Sequence, residues 1–92
     1  KKFDSQFAKV PHVGWNTIHP TNCSLFNHIE ENAYCYFVHS YYASVNDQTA
    51  ATSHYINDFS CALHYKNFYG VQFHPEKSAK VGEQILKNFI EL

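Results

Sequence analysis

His74 and Glu76 stand two residues apart in "GVQFHPEKS", residues 70–78, with Pro75 fixing the backbone between them. If the apolar run before them is a strand, residues two apart project to the same side. The carboxylate can then hold one imidazole nitrogen while the other takes a proton from a nucleophile and returns it to a leaving group. An imidazole with an ordinary pKa of about 6.5 suits that traffic at neutral pH. The same residues also read as a strand end stopped by Pro75, with Glu76 and Ser78 favouring a helix start through its dipole and cap. The cysteines do not decide between these readings. A nucleophile elbow takes small neighbours, as in G-x-S-x-G, whereas Cys23, Cys35 and Cys61 lie in "NCS", "YCY" and "SCA". Cys35, inside an apolar run, reads as a buried, inert thiol. Cys61-x-x-His64 and Cys35-x-x-x-His39 are half-sites that join no second pair at zinc-finger spacing, so no metal is expected, and the isolated histidines read as hydrogen-bonded structural residues.

The elements that must position His74 and Glu76 follow from the periodicity. "VPHVGWNTI", residues 10–18, is extended in character because Pro11 restricts the residue before it and Gly14 interrupts any helix. Residues 19–32 are rich in Pro, Asn, Ser and Thr and predict a loop with one helical turn around Leu25, Phe26 and Ile29. "AYCYFVHSYY", residues 33–42, is nearly unbroken in apolar and aromatic residues, which predicts a central strand covered on both faces. After a turn at 43–48, "TAATSHY" predicts a further strand, and "INDFS" predicts a turn. "CALHY" and "FYGVQF" flank Lys66-Asn67 as a hairpin, with Asn67 suited to positive φ. Ser78 is the expected N-cap of a final helix. Its apolar stripe is Val81, Ile85, Leu86, Phe89 and Ile90, opposite Gly82, Glu83, Gln84, Lys87, Asn88 and Glu91.

The length, 92 residues, allows one small domain at most, and 45% apolar with 17% aromatic residues is the composition of a packed chain. All seven basic residues are Lys and the net charge is −1, so no Arg is present to grip phosphates bidentately and no nucleic acid is expected. Three cysteines without C-x-x-C spacing fit a reducing compartment, which makes the cytoplasm the default. No apolar run approaches the roughly 18 residues of a membrane span. The start, Lys1-Lys2-Phe3-Asp4, has neither a hydrophobic signal region nor an initiating Met, which reads as a chain beginning within a longer one. Trimming or removal of a leader would look the same.

"PHVGWN" (residues 11–16), "YFVHSYYA" (36–43) and "GVQFHPEKS", in that order and followed by "VGEQILKNF", closely resemble the C-terminal half of the glutaminase subunits of imidazole glycerol phosphate synthase. These are class I, or triad, glutamine amidotransferases of histidine biosynthesis. The F-H-P-E part is shared across the class, and the other two segments point to this member. The resemblance covers nearly the whole chain. It implies an α/β fold, a three-layer domain around a mostly parallel sheet, of which residues 1–92 would form the second half: a β-rich segment followed by one C-terminal helix. It implies that His74 is the general base and acid and that Glu76 orients it. Ser40 and Tyr41 match a strand end whose backbone lines the glutamine pocket. Trp15, Asn16 and Lys77 match positions at the interface with a partner (β/α)8-barrel synthase subunit. Plainer readings stand beside these: a polar strand tip for Ser40 and Tyr41, a core residue for Trp15, a solvated charge for Lys77. No cofactor is implied.

In the family the nucleophilic Cys lies in a glycine-rich elbow of the first half, which these residues lack, and none of the three cysteines matches it. The 92 residues alone are therefore expected to be inactive. The expected reaction of the complete protein is hydrolysis of glutamine to glutamate, with ammonia passing to the barrel subunit. Two other readings remain open at this point. One is a triad amidotransferase serving a different acceptor. The other is a non-catalytic fragment or binding module that associates with itself through exposed strand edges.

Overall fold

The computed structural model describes residues 1–4 and 10–92. Five strands form one curled sheet: β1 (His12–Pro20), β2 (Ala33–His39), β3 (Thr49–Tyr55), β4 (Asn57–Tyr65) and β5 (Phe68–Val71). Their order is β2-β1-β3-β4-β5 and every pair is antiparallel. One helix, α1 (Ala79–Ile90), closes the chain, and short 3₁₀ turns stand at Ser24–Phe26 and Pro75–Lys77. The β-rich segment and C-terminal helix are thus as expected. The parallel strands of a three-layer domain are not among the described residues.

The sheet curls because β1 pairs with β2 along seven residues from His12↔His39 to Ile18↔Ala33 but meets β3 only at His19↔Thr52 and Pro20↔Ala51. Its concave side holds the core, in which Phe3, Ile18, Cys35, Phe37, Phe59, Cys61 and Phe73 pack together. In β2 the alternation of the pleat buries Cys35, Phe37 and His39 and turns Tyr34 and Val38 outward. This corrects the expectation of a central strand at residues 33–42. Among the described residues β2 lies at the sheet edge, and its unbroken apolar run arises because its outward residues are also apolar. The strand buried without alternation is β4, where Phe59, Ser60, Cys61 and Ala62 are all enclosed.

Two turns also differ from expectation. "INDFS" does not form a turn: the reversal is confined to Ile56 (φ 68°) and β4 begins at Asn57. In the β4–β5 hairpin the positive φ falls on Lys66 (55°), and Asn67 takes no part in that conformation. In α1 the buried stripe is Gly82, Ile85 and Asn88, at steps of three, while Leu86, Phe89 and Ile90 are exposed. Gly82 and Asn88, placed on the polar face by hydropathy, are therefore on the packed one. A Cβ on Gly82 would lie 1.8 Å from the Pro75 carbonyl oxygen, so only glycine lets the first turn of α1 rest on the Pro75–Lys77 turn. The Asn88 amide donates to the carbonyls of Leu25 (2.9 Å) and Asn27 (2.7 Å), exchanging side-chain hydrophobicity for two buried hydrogen bonds.

Candidate active site

His74 owes its position to the segment that leaves β5. The Gln72 N–H extends the ladder by donating to Cys61 O (2.8 Å), and Phe73 plunges into the core, with its ring edge-on to Phe37. The His74 N–H then donates to Tyr36 O on the free edge of β2 (2.9 Å). Ser78 closes the arrangement: fully buried, its hydroxyl donates to His74 O (2.6 Å) and accepts from the Tyr36 N–H (3.0 Å). Ser78 does precede α1, but its hydroxyl makes no bond to a helix N–H. It staples the turn to the strand instead of capping the helix.

Within that turn, His74 Nδ1 lies 3.1 Å from Glu76 Oε2, with the two side chains 40% and 60% exposed. Strand alternation is not what joins them, since β5 ends at Val71 and Glu76 sits in the Pro75–Lys77 turn. Pro75 opens that turn with its φ already suited to it. The carboxyl pKa of Glu76 is lowered, chiefly by its own backbone N–H; desolvation opposes this, and the hydrogen bond from His74 and the charges of His74 and Lys77 add to the lowering. An ionised carboxylate only accepts, so His74 Nδ1 carries the proton of this bond and Nε2 is left with its lone pair. That arrangement can take a proton at Nε2 and return it.

No described cysteine contacts His74. Burial pushes the Cys35 thiol up to about 11, against the neighbouring Ser78 hydroxyl, which lowers it, and burial together with Cys35 pushes Cys61 higher still. Cys23 Sγ instead faces His64 Nδ1 at 3.8 Å. Ser40 and Tyr41 follow the end of β2, about 13 Å along the strand from Tyr36 at roughly 3.3 Å per residue. There the Ser40 carbonyl accepts from Phe3 N–H (2.9 Å) and the Tyr41 carbonyl faces His39 Nδ1 (2.9 Å). Neither touches His74.

Trp15 is 52% exposed on the outer face of β1, edge-on to Tyr36 at 5.8 Å, in a patch that continues through Val13, Val38 and Tyr34. Lys77 is exposed beside His74. Asn16, grouped with Trp15 on the sequence, points to the opposite face, where its amide donates to His54 O (2.7 Å) and its carbonyl accepts from Thr17 N–H (2.8 Å). Tyr36 was missed on the sequence, although its even spacing from Tyr34 and Val38 puts all three on Trp15's face. Among the described residues no three His, Cys, Asp or Glu side chains gather as metal ligands would, and no helix is long and apolar enough to cross a membrane.

The family "Glutamine amidotransferase class-I" matches residues 6–92. Among curated relatives, the imidazole glycerol phosphate synthase subunit HisH of Bacteroides thetaiotaomicron is 58% identical over 84 residues, covering 91% of this chain and 43% of the relative. That of Mannheimia succiniciproducens is 54% identical over 83 residues, 89% of this chain and 43% of the relative. The HisH subunit of Shewanella loihica is 48% identical over 92 residues, all of this chain and 41% of the relative. The chain thus spans less than half the length of the curated relatives it matches.

Proposed function

The chain belongs to the class-I glutamine amidotransferase family, and on that premise we propose that it is part of the glutaminase subunit of an imidazole glycerol phosphate synthase. His74 would serve as base and acid, and Glu76 as its orienting carboxylate. The observation that carries this reading is the His74–Glu76 contact at 3.1 Å, held by a turn that Ser78 and Tyr36 fix to the sheet. The similarity to HisH subunits supports the acceptor system.

In this mechanism a cysteine thiolate, supplied from outside these 92 residues, attacks the glutamine carboxamide carbon. The imidazolium of His74 gives its Nε2 proton to the departing amine, which leaves as ammonia. Water then attacks the thioester, with His74 as base, releasing glutamate and restoring the thiol. Glu76 holds Nδ1–H throughout, which keeps Nε2 aimed and stabilises the imidazolium. The burial of Cys35 and Cys61 and the distinct partner of Cys23 support an outside nucleophile, and the 92 residues alone would then release no ammonia. The outer face of β1 and β2, with Trp15 at its centre and Lys77 at its margin, would receive a (β/α)8-barrel synthase subunit to which ammonia passes. Ser40 and Tyr41 would line the glutamine pocket through their backbone.

The test is His74→Ala in the complete protein. Glutamine hydrolysis should fall by at least about 10²-fold, as for loss of a general acid–base, while association with the barrel subunit stays intact. Turnover unchanged in the variant would end the assignment.

A further inference from the structure

Two buried histidines outside the His74 turn form a continuous chain of hydrogen bonds whose direction the structure determines. His12, on β1, and His39, at the end of β2, are 3% and 7% exposed. His12 Nδ1 lies 2.8 Å from His39 Nε2, and His39 Nδ1 lies 2.9 Å from Tyr41 O. At the other end, His12 Nε2 lies 3.4 Å from Asn16 Nδ2, the longest link.

A carbonyl oxygen can only accept, so His39 must carry its proton on Nδ1, and its Nε2 is then an acceptor in the neutral ring. His12 must therefore donate from Nδ1, which leaves its own Nε2 as an acceptor. Asn16 meets that acceptor with the correct atom. Its amide orientation is fixed independently by the bonds to His54 O and from Thr17 N–H, so Nδ2 is the group that faces His12. The two ends of the chain of bonds require the same pair of tautomers. Both are the Nδ1–H form, which is the minor one for a free imidazole in water.

The rings are held flat for this purpose. His12 stacks on Tyr55 at 4.0 Å and on Phe37 at 5.0 Å, and His39 meets Phe3 and Phe59 at 5.1 and 5.2 Å. This packing fixes the planes of the imidazoles, and burial disfavours their charged forms.

We propose that His12 and His39 are positioning residues: the relay Asn16 to His12 to His39 to Tyr41 O fixes the backbone of Ser40 and Tyr41, and so the pocket that takes the glutamine substrate. The claim about the substrate rests on the function proposed above. The relay itself does not. It starts on the strand that carries Trp15 and ends on the strand end expected to touch glutamine, 25 residues further on from Asn16 to Tyr41.

The test uses the complete protein and has two readouts. In nitrogen-15 NMR of labelled imidazoles at pH 7, His12 and His39 should both appear as neutral Nδ1–H tautomers; an Nε2–H or charged form of either overturns the relay. His39→Phe keeps a flat ring and removes the bond to Tyr41. It should raise KM for glutamine about fivefold, the loss expected of one net hydrogen bond, with kcat changed less than about twofold. It should also speed amide exchange at residues 40–42. His12→Phe leaves His39 in place but frees its tautomer, and should move KM in the same direction, which keeps the test informative if His39→Phe does not fold. Unchanged KM and exchange in a folded variant would reduce both histidines to packing. A wild-type protein without glutaminase activity would instead overturn the proposed function, and the tautomers and exchange rates would still decide the relay.

Discussion

At His12 the environment sets a measurable pH dependence. Burial, and then the neighbouring His39, lower its pKa from the ordinary 6.5 to about 4, and burial lowers that of His39 as well. Between those values the unfolded chain binds a proton that the folded chain refuses. Folding stability is therefore complete above about pH 6.5 and declines as the pH falls towards 4, by about 3 kcal/mol for His12 at the order of magnitude. Urea midpoints measured from pH 7 to pH 4 should fall more steeply for the native sequence than for His12→Phe; parallel slopes would place the burial cost elsewhere. His74, by contrast, is part exposed and faces the Glu76 carboxylate. Two kinds of histidine thus share one chain, one kept neutral in a stack of rings and one open to solvent beside an acid.

At the scale of elements, the seating of α1 on the Pro75–Lys77 turn is the contact most sensitive to a single atom. Gly82→Ala places a methyl group against the Pro75 carbonyl, where backbone cannot yield cheaply. The expected result is a loss of about 2 kcal/mol or more in chemical denaturation, as for overpacking, and, on the proposed function, impaired glutaminase turnover in the complete protein, because the turn holds His74 against Glu76. An unchanged midpoint would mean that the helix seat is looser than its geometry.

Periodicity made the strand at Thr49–Tyr55, the hairpin around Lys66 and the final helix legible in the sequence. It failed where apolar character and burial part company. The run at 33–42 looked central because Tyr34, Tyr36 and Val38 are apolar and outward at once. The helix looked seated on Leu86, Phe89 and Ile90, whereas a glycine and an asparagine make the close contacts. Hydropathy does not register a missing Cβ or two carbonyls waiting for an amide. Of the site, the pairing of His74 with Glu76 was legible from spacing, although a 3₁₀ turn brings it about. The inner pair His12 and His39 was not, because 27 residues separate them and only the antiparallel register brings them opposite one another.

For the whole molecule, the outer face of β1 and β2 is an apolar surface built from aligned cross-strand pairs, Trp15 with Tyr36 and Val13 with Val38. An exposed Trp at the centre of such a patch is the kind of residue that dominates binding energy. If the proposed barrel subunit docks on this face, Trp15→Ala should weaken its binding by about 2 kcal/mol, or roughly 30-fold in Kd by titration calorimetry; an unchanged Kd would move the proposed interface to another face.

Tyr36 belongs to both surfaces at once. Its ring lies against Trp15, and its backbone grips the turn of His74 through the carbonyl and, by way of Ser78, through the N–H. On the proposed function, docking and proton transfer would therefore share one mechanical coordinate. A partner that seats Trp15 an ångström off its mark would shift the strand under the base by a similar amount, so that faulty assembly would register as misaimed chemistry with every reacting group intact.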